Sequence, residues 1–326
     1  MASLDFYSNL APYMVDMVEQ KRALGYKYEE QVKLLKKFDA FCLECFPDEK
    51  TVTKAMLDIW TIKKPHEHPG TLRHRVTVVS HLARYMAALG YNAYIYPTNE
   101  LPKEPKYTPY IYSEDELRRL FLQIDCCHYS SKVPDRHLIM PVLFRILYCC
   151  GLRLGEVLRL KVSDVDLTSG VLLIRDSKNG NDRYVPMSQE LTAMCRDYAA
   201  EVHGKFTGHQ YFFPAPDDGM IPEINIYTNF RRFLRKAGIS HGGKGKGPRI
   251  YDFRHTFAVH SLKQMVLANK DLAVYHQVLK TYMGHSFFKY TAYYLRLTKD
   301  MFPDIRQKIE SHYESFITGP GGDYRD

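Results

Sequence analysis

Two guanidinium groups, an imidazole and a phenol occur in an order that could break a phosphodiester bond without a metal. Arg153 lies in CCGLRLGEVLRL, Arg254 in YDFRHTFA, and Tyr294 follows His285 by nine residues in GHSFFKYTAYYL. Arginine forks hold the non-bridging oxygens of a phosphate bidentately and offset the charge that grows in a pentavalent transition state. A tyrosine oxygen can attack phosphorus and carry the cut end covalently.

These side chains are far apart in the sequence, so a fold must bring them together. Residues 138–150 form an apolar helical pattern that leads into Arg153. The runs VLLI and RYVPM flank Asn179-Gly180, a strong turn signal that predicts a β-hairpin. Apolar residues at helical spacing continue through 189–203, 224–237, 253–267, 272–283 and 299–316. The predicted class is mainly α with a small β-hairpin or sheet.

The first hundred residues also show helical patterns. Helices are predicted over 6–23, 29–46, 53–62 and 71–89, and Gly25 and Gly90 end the first and the last of these. The proline-rich run PTNELPKEPKYTP indicates a stiff linker, and Ser113 with Glu116 forms a capping box that opens the next helix. We predict a helical domain over 1–98, a linker over 99–109, a second domain over 110–317 and a flexible tail over 318–326.

The charge balance is compatible with nucleic-acid binding. The chain has 326 residues, with 45 Lys and Arg against 37 Asp and Glu and a formal net charge of +8. Residues 228–254 carry eight basic residues and one acid. A solvated face explains most such runs, but this one leads into Arg254, which favours phosphate contact. The sequence shows neither a signal-peptide pattern nor the roughly 20 apolar residues of a membrane span.

Cysteine and histidine usage points away from a disulfide framework and a metal site. Seven cysteines form an odd set that suits a reducing cytoplasm. Cys42 and Cys45 form a lone CxxC in a helical pattern, where buried thiols are expected. His66, His68 and His74 are interpreted as polar loop residues. With no phosphate-binding glycine loop and no clustered carboxylates, the sequence predicts no metal and no cofactor.

Three segments together resemble one known family. GLRLGEVLRLKVSDVDL is similar to the first-arginine segment of the tyrosine recombinase (phage integrase) family, YDFRHTFAVH to its HxxRH segment, and YMGHSFFKYTAYYLRLT to its GH-to-tyrosine segment. Their order and wide separation also fit that family. The resemblance implies a SAM-like helical core-binding domain that clamps DNA, followed by an α-rich catalytic domain.

The resemblance also implies roles for individual residues. Arg153 and Arg254 would clamp the scissile phosphate, His285 would donate a hydrogen bond to it, and Tyr294 would be the nucleophile. Lys178, on the hairpin, would protonate the leaving 5′ oxygen. Glu156 would orient the arginines, since one helical turn separates it from Arg153. His255 would support the site from the next position after Arg254.

Some positions leave alternatives open. Tyr251 stands where the family usually has histidine; a phenol can donate a hydrogen bond to a phosphate oxygen but is a poor general base at neutral pH. Arg183 is a less favoured substitute for Lys178. Tyr293, and more distantly Tyr290, could replace Tyr294 as the nucleophile.

The resemblance implies double-stranded DNA as partner and a tetramer assembled on two DNA sites. The C-terminal helix after Met301 would dock on a neighbouring protomer or pack in cis. We predict a cytoplasmic, nucleoid-associated protein of a prokaryote and no membrane partner. The predicted DNA contacts are Arg73, Arg75, Arg231, Arg232, Arg235, Lys244 and Lys246.

The predicted function is site-specific recombination through a 3′-phosphotyrosyl intermediate, as the integrase or transposase of a mobile element or as a resolvase. One alternative is a type IB topoisomerase, which would relax supercoils as a monomer. A second is a DNA-binding protein with a degraded active site, which the tyrosine at position 251 makes conceivable.

Overall fold

The structure is a computed structural model that describes residues 3–102, 108–175, 182–204, 208, 210–243, 247–268 and 270–284. The chain divides into two compact units, one of residues 1–107 and one that begins at Thr108. Both units are largely helical in their described parts.

Four helices form the first unit. They are α1 (Ala11–Ala23), α2 (Glu29–Cys45), α3 (Lys54–Trp60) and α4 (Pro69–Ala88). Their buried faces share one core, in which the rings of Phe38 and Trp60 meet edge to face with centroids 5.0 Å apart. α4 begins two residues earlier than predicted, because His68 caps it and Pro69 occupies the first turn.

Seven α-helices lie in the described part of the second unit. They are α5 (Glu114–Asp125), α6 (Arg136–Cys149), α7 (Leu154–Leu158), α8 (Gln189–Val202), α9 (Glu223–Lys236), α10 (Asp252–Leu267) and α11 (Leu272–Met283). The predicted capping box of Ser113 and Glu116 opens α5. The apolar helix α6 is central and packs against α5, α8 and α10, so it carries the core on which the other helices are placed.

A small antiparallel sheet accompanies these helices. Its strands β1 (Val165–Asp166), β2 (Val171–Ile174) and β3 (Arg183–Pro186) lie in the order β1-β2-β3, with Leu172 opposite Val185 and Ile174 opposite Arg183. β2 and β3 are the strands of the predicted hairpin. β1 was not predicted, because a two-residue strand has no measurable alternation. The turn at 179–180 and the predicted helix over 299–316 lie outside the described residues.

The start of α10 is fixed by aromatic packing. Phe253 is completely buried and lies 5.8 Å from Phe144 of α6 and 5.9 Å from Phe230 of α9, measured between ring centroids. Tyr112 stacks on the same ring at 5.2 Å. These contacts hold the first turn of α10 inside the unit, where Arg254 follows Phe253. The predicted mainly α fold with a small sheet is confirmed.

Candidate active site

Arg153 caps a short helix that starts immediately after a tight turn. Gly151, which follows α6, has a φ of +57°, and a Cβ built there would lie 2.3 Å from Cδ1 of Phe257. Only glycine fits this turn, for its backbone angle and for its lack of a side chain. Arg153 then stands at the N-terminus of α7, with its side chain 21% exposed. The Arg153 side chain is therefore partly open to solvent.

Glu156 folds back on Arg153. Its Oε2 accepts a hydrogen bond from the Arg153 backbone N–H at 2.9 Å, and its Oε1 accepts one from Arg153 Nη1 at 2.7 Å. The Glu156 side chain is only 1% exposed. A buried carboxylate needs partners to stay ionised, and this one orients the arginine that sequence resemblance placed on the phosphate.

Arg183 of β3 binds the same carboxylate from the other side. Its Nη1 lies 3.1 Å from Glu156 Oε1 and its Nη2 lies 2.9 Å from Oε2. Burial by itself raises the pKa of Glu156, but the hydrogen bonds and charge of Arg183, the Arg153 backbone N–H and the charge of Arg254 outweigh it and lower the pKa to about 2. Glu156 is therefore an anion at every physiological pH.

Arg254 is completely buried and joins two segments of backbone. Its Nη1 donates to the carbonyl oxygen of Gly151 at 2.7 Å, and its Nη2 donates to the carbonyl oxygen of Met283. Arg254 thus lies beside the turn that leads into Arg153, and its charge acts on Glu156.

The C-terminal end of α11 meets both inner arginines. Arg183 Nε donates to the carbonyl oxygen of Tyr282 at 3.0 Å, one residue before the Met283 carbonyl that Arg254 binds. Cations at this end of a helix are favoured, because its last carbonyls lack partners within the helix. Gly284 follows with a φ of +64°. The chain leaves α11 there, directly before position 285.

Tyr251 stands at the start of α10, 43% exposed. Its ring meets that of His255 edge to face, with centroids 4.9 Å apart. Burial, with the charge of Arg254 added, lowers the pKa of His255 to about 4. His255 is therefore neutral at pH 7 and packs against the exposed phenol.

The structure brings four of the chemically interesting side chains together: Arg153, Glu156 and Arg254, which the sequence singled out, and Arg183, which the sequence offered only as a substitute for Lys178. The available signal for Arg183 was strand alternation, because Arg183 shares the inward face of β3 with the buried Val185. Lys178, His285, Tyr290, Tyr293 and Tyr294 lie outside the described residues.

Two predicted DNA contacts in the first unit are engaged inside it. Arg75 is 4% exposed, forms an ion pair with Glu67 at 2.7 Å and lies over the Trp60 ring at 5.2 Å. We assign it a structural role in place of the DNA contact. Arg73 donates to the carbonyl oxygens of Thr98 and Leu101 at 3.0 and 2.8 Å, so it also holds its own unit together.

The predicted DNA contacts on α9 differ in exposure. Arg231 and Arg235 are exposed, whereas Arg232 lies over the Phe233 ring at 5.5 Å and donates to Asn229 Oδ1 at 2.8 Å. Lys244 and Lys246 lie outside the described residues. Exposed arginines on one helix provide the cationic surface that a phosphate backbone attracts.

In the described part of the chain, no group of three or more His, Cys, Asp or Glu side chains is gathered closely enough to hold a metal ion. The helices of that part include none with the length and hydropathy needed to span a membrane.

Comparison with known proteins adds to this geometry. Residues 112–301 match the sequence profile of the phage integrase family. A protein of Sinorhizobium fredii described as an integrase/recombinase (y4rB) is 31% identical over 306 residues, which cover 92% of this chain and 96% of that protein.

Solved structures share the fold at low sequence identity. A XerH site-specific recombinase bound to a palindromic difH substrate in a post-cleavage complex matches with a TM-score of 0.62 and 18% identity, over 88% of this chain and 79% of the other. A λ integrase tetramer bound to a Holliday junction matches with a TM-score of 0.59 and 15% identity, over 87% and 76% of the two chains.

Proposed function

Because the chain belongs to the tyrosine recombinase (phage integrase) family, we propose that it is a site-specific DNA recombinase which cuts and rejoins DNA through a 3′-phosphotyrosyl intermediate. We propose further that it serves as the integrase or transposase of a mobile element. The relative described as an integrase/recombinase, which aligns along nearly the whole chain, supports this setting.

One observation carries the proposal: two arginines from separate elements bind Glu156, and the charge of a third, Arg254, acts on the same carboxylate. Arg153 and Arg183 bind its carboxylate directly, and Arg254 binds the backbone of the turn that leads into Arg153. Three guanidinium groups around one carboxylate leave a surplus of positive charge. A phosphodiester that approaches the exposed part of Arg153 would meet this charge, which stabilises the pentavalent transition state more than the ground state.

In the proposed reaction Tyr294 attacks phosphorus through its phenolic oxygen. The phenol gives its proton to solvent water, a phosphotyrosyl bond forms, and the bond between phosphorus and the 5′ oxygen breaks. Lys178 donates the proton that the leaving 5′ oxygen takes up. His285 and Tyr251 would donate hydrogen bonds to the phosphate oxygens. Because the new bond is again a phosphodiester, the 5′ hydroxyl of another strand can reverse the attack without ATP.

The same proposal covers the partners. The substrate is double-stranded DNA, which the exposed arginines of α9 would hold by its phosphates and which the helical first unit would clamp. A tetramer on two DNA sites would carry out paired strand exchanges through a Holliday junction. The fold shared with an integrase tetramer on such a junction is compatible with this assembly.

Covalent trapping tests the proposal. The protein is incubated with a nicked duplex from the ends of its own element, so that the short cleaved strand diffuses away and the adduct accumulates. We expect adducts with wild type and with Tyr293→Phe, and none with Tyr294→Phe, while all three retain DNA binding. Adducts that persist in Tyr294→Phe would show that another residue is the nucleophile. DNA binding without any adduct would indicate a DNA-binding protein that lacks cleavage activity. Relaxation of supercoiled DNA without recombinant products would indicate a topoisomerase.

A further inference from the structure

Arg183 uses all three nitrogens of its guanidinium to join two parts of the site. Nη1 and Nη2 bind Glu156 at 3.1 and 2.9 Å, while Nε binds the carbonyl oxygen of Tyr282 at 3.0 Å. The side chain is 9% exposed. Arg183, a residue of β3, therefore connects α7, which carries Glu156, to the last turn of α11.

Gly284, the first residue after α11, is packed directly on this guanidinium. A Cβ at Gly284 would lie 3.0 Å from Arg183 Nη1, 3.1 Å from Cζ and 3.2 Å from Nε. The backbone at Gly284 also has a φ of +64°, in the left-handed region. The direction in which the chain leaves α11 is thus set by a turn that rests against Arg183.

We propose that Arg183 is a positioning residue of the strand-cleavage reaction: it holds the last turn of α11, which ends just before position 285, in register with Glu156 and Arg153. The inference rests on the proposed function, since positions 285 and 294 supply the hydrogen-bond donor and the nucleophile there. Arg183 itself touches neither DNA nor the reacting atoms in this role.

The geometry also distinguishes positioning from proton donation. A guanidinium does not give up its proton at any pH that proteins tolerate, and this one faces a carboxylate and a helix end. A lysine at position 183 would keep the charge. It could not reproduce three fixed bonds in one plane, so the clamp would loosen without the site losing a cation.

Three variants and two substrates test this. The three variants are Arg183→Lys, Arg183→Gln and, as a control, Arg145→Gln, which removes a matched ion pair to Asp125 with bonds of 2.6 and 2.7 Å in the same unit. A fourth variant, Lys178→Ala, serves as the reference for loss of the proposed proton donor. The substrates are the nicked duplex and the same duplex with sulfur in place of the bridging 5′ oxygen. A thiolate leaves without a proton donor, because thiols have a pKa of about 8.5 and alcohols a far higher one.

For both Arg183 variants we expect DNA affinity within about twofold of wild type and an adduct rate about 10- to 100-fold lower, as small misplacements in active sites cause. The loss persists on the sulfur substrate, whereas a Lys178→Ala loss is rescued by it. Arg145→Gln keeps the wild-type rate.

Three results would overturn the inference. Rescue of Arg183→Gln by sulfur would make Arg183 the proton donor. Wild-type adduct rates in both Arg183 variants would show that the clamp is dispensable. Full activity in Arg183→Lys beside an unfolded Arg183→Gln would reduce Arg183 to a structural cation. If wild type forms no adduct on either substrate, the proposed function itself fails, and that outcome is separate from these three.

Discussion

Arg183 and Glu156 form two parallel hydrogen bonds, of 3.1 and 2.9 Å, between side chains that are 9% and 1% exposed. Glu156 also accepts from Arg153, so one carboxylate balances two guanidinium groups. The shared carboxylate allows the guanidinium groups of Arg153 and Arg183 to lie close together in the absence of a bound phosphate. It requires that the carboxylate stay ionised, which makes the stability of this cluster dependent on pH.

Glu156→Gln should lower the free energy of unfolding by about 3 kcal/mol at pH 7, because a buried ion pair that loses one partner leaves an uncompensated charge. Urea unfolding curves of wild type and variant measure the difference. The pKa of Glu156 is lowered to about 2 in the folded protein, below its ordinary value of about 4.3. Its stabilising contribution is therefore complete above about pH 4.3 and is lost as the pH falls from there towards 2.

The stability difference between wild type and Glu156→Gln should accordingly shrink as the pH falls from about 4.3 to about 2. Asp197→Asn is the control, since Asp197 is an exposed carboxylate of the same unit. A Glu156→Gln variant as stable as wild type at pH 7 would contradict the role of this ion pair.

His255 should destabilise the fold in mild acid. Burial and the charge of Arg254 lower its pKa to about 4, whereas in the unfolded chain it is about 6.5. The unfolded state therefore binds the proton first, and stability falls as the pH drops from about 6.5 towards 4. Between about pH 7.5 and pH 5, the melting temperature should fall less in His255→Gln than in wild type. His128→Gln, which replaces an exposed histidine, is the control. Its melting temperature should fall as much as that of wild type over the same pH range.

Gly151→Ala should cost about 2 to 4 kcal/mol of stability, from left-handed backbone strain and from overpacking against Phe257. Gly25→Ala is the matched control: Gly25 has a φ of +85°, and no atom lies within 4 Å of the position that a Cβ would take. Only the backbone part of the loss remains there, about 1 kcal/mol. Phe257→Leu in the Gly151→Ala background should recover part of the loss. Chemical denaturation measures all four proteins, and equal losses in the two alanine variants would exclude the steric explanation.

The exposed arginines of α9 should determine the salt dependence of DNA binding. Arg231→Gln and Arg235→Gln should each weaken binding to all sequences and make the slope of log K against log salt less steep by about 0.9. Arg232→Gln should change the slope less, because that guanidinium lies over Phe233. Fluorescence anisotropy over a salt series gives the slopes. Arg196→Gln, an exposed arginine on α8, is the control; an unchanged slope in the α9 variants would remove that helix from the interface.

Apolar periodicity and capping located most of the helices, because both are local, but not every boundary: the helix predicted over 6–23 begins at Ala11. The capping box at Ser113 and the two strands of the hairpin are readable within a few residues. Burial of a charged side chain is not local. Arg73 and Arg75 have the sequence pattern of surface cations, yet carbonyl oxygens in one case and Glu67 in the other hold them within the first unit. The local sequence pattern does not indicate that these groups are the partners of the two arginines.

The sequence by itself predicted the family and the mainly α class, which are confirmed. It also singled out Arg153, Glu156 and Arg254 as candidate site residues, since each belongs to a short segment with its own residue order. The tertiary structure decided how these side chains are connected. Arg183 lies 27 positions from Glu156 and 99 from Tyr282 in the chain, and it contacts both. Hydrogen bonds of this kind depend on where β3 and α11 pack, and that packing is set by the whole core rather than by any segment.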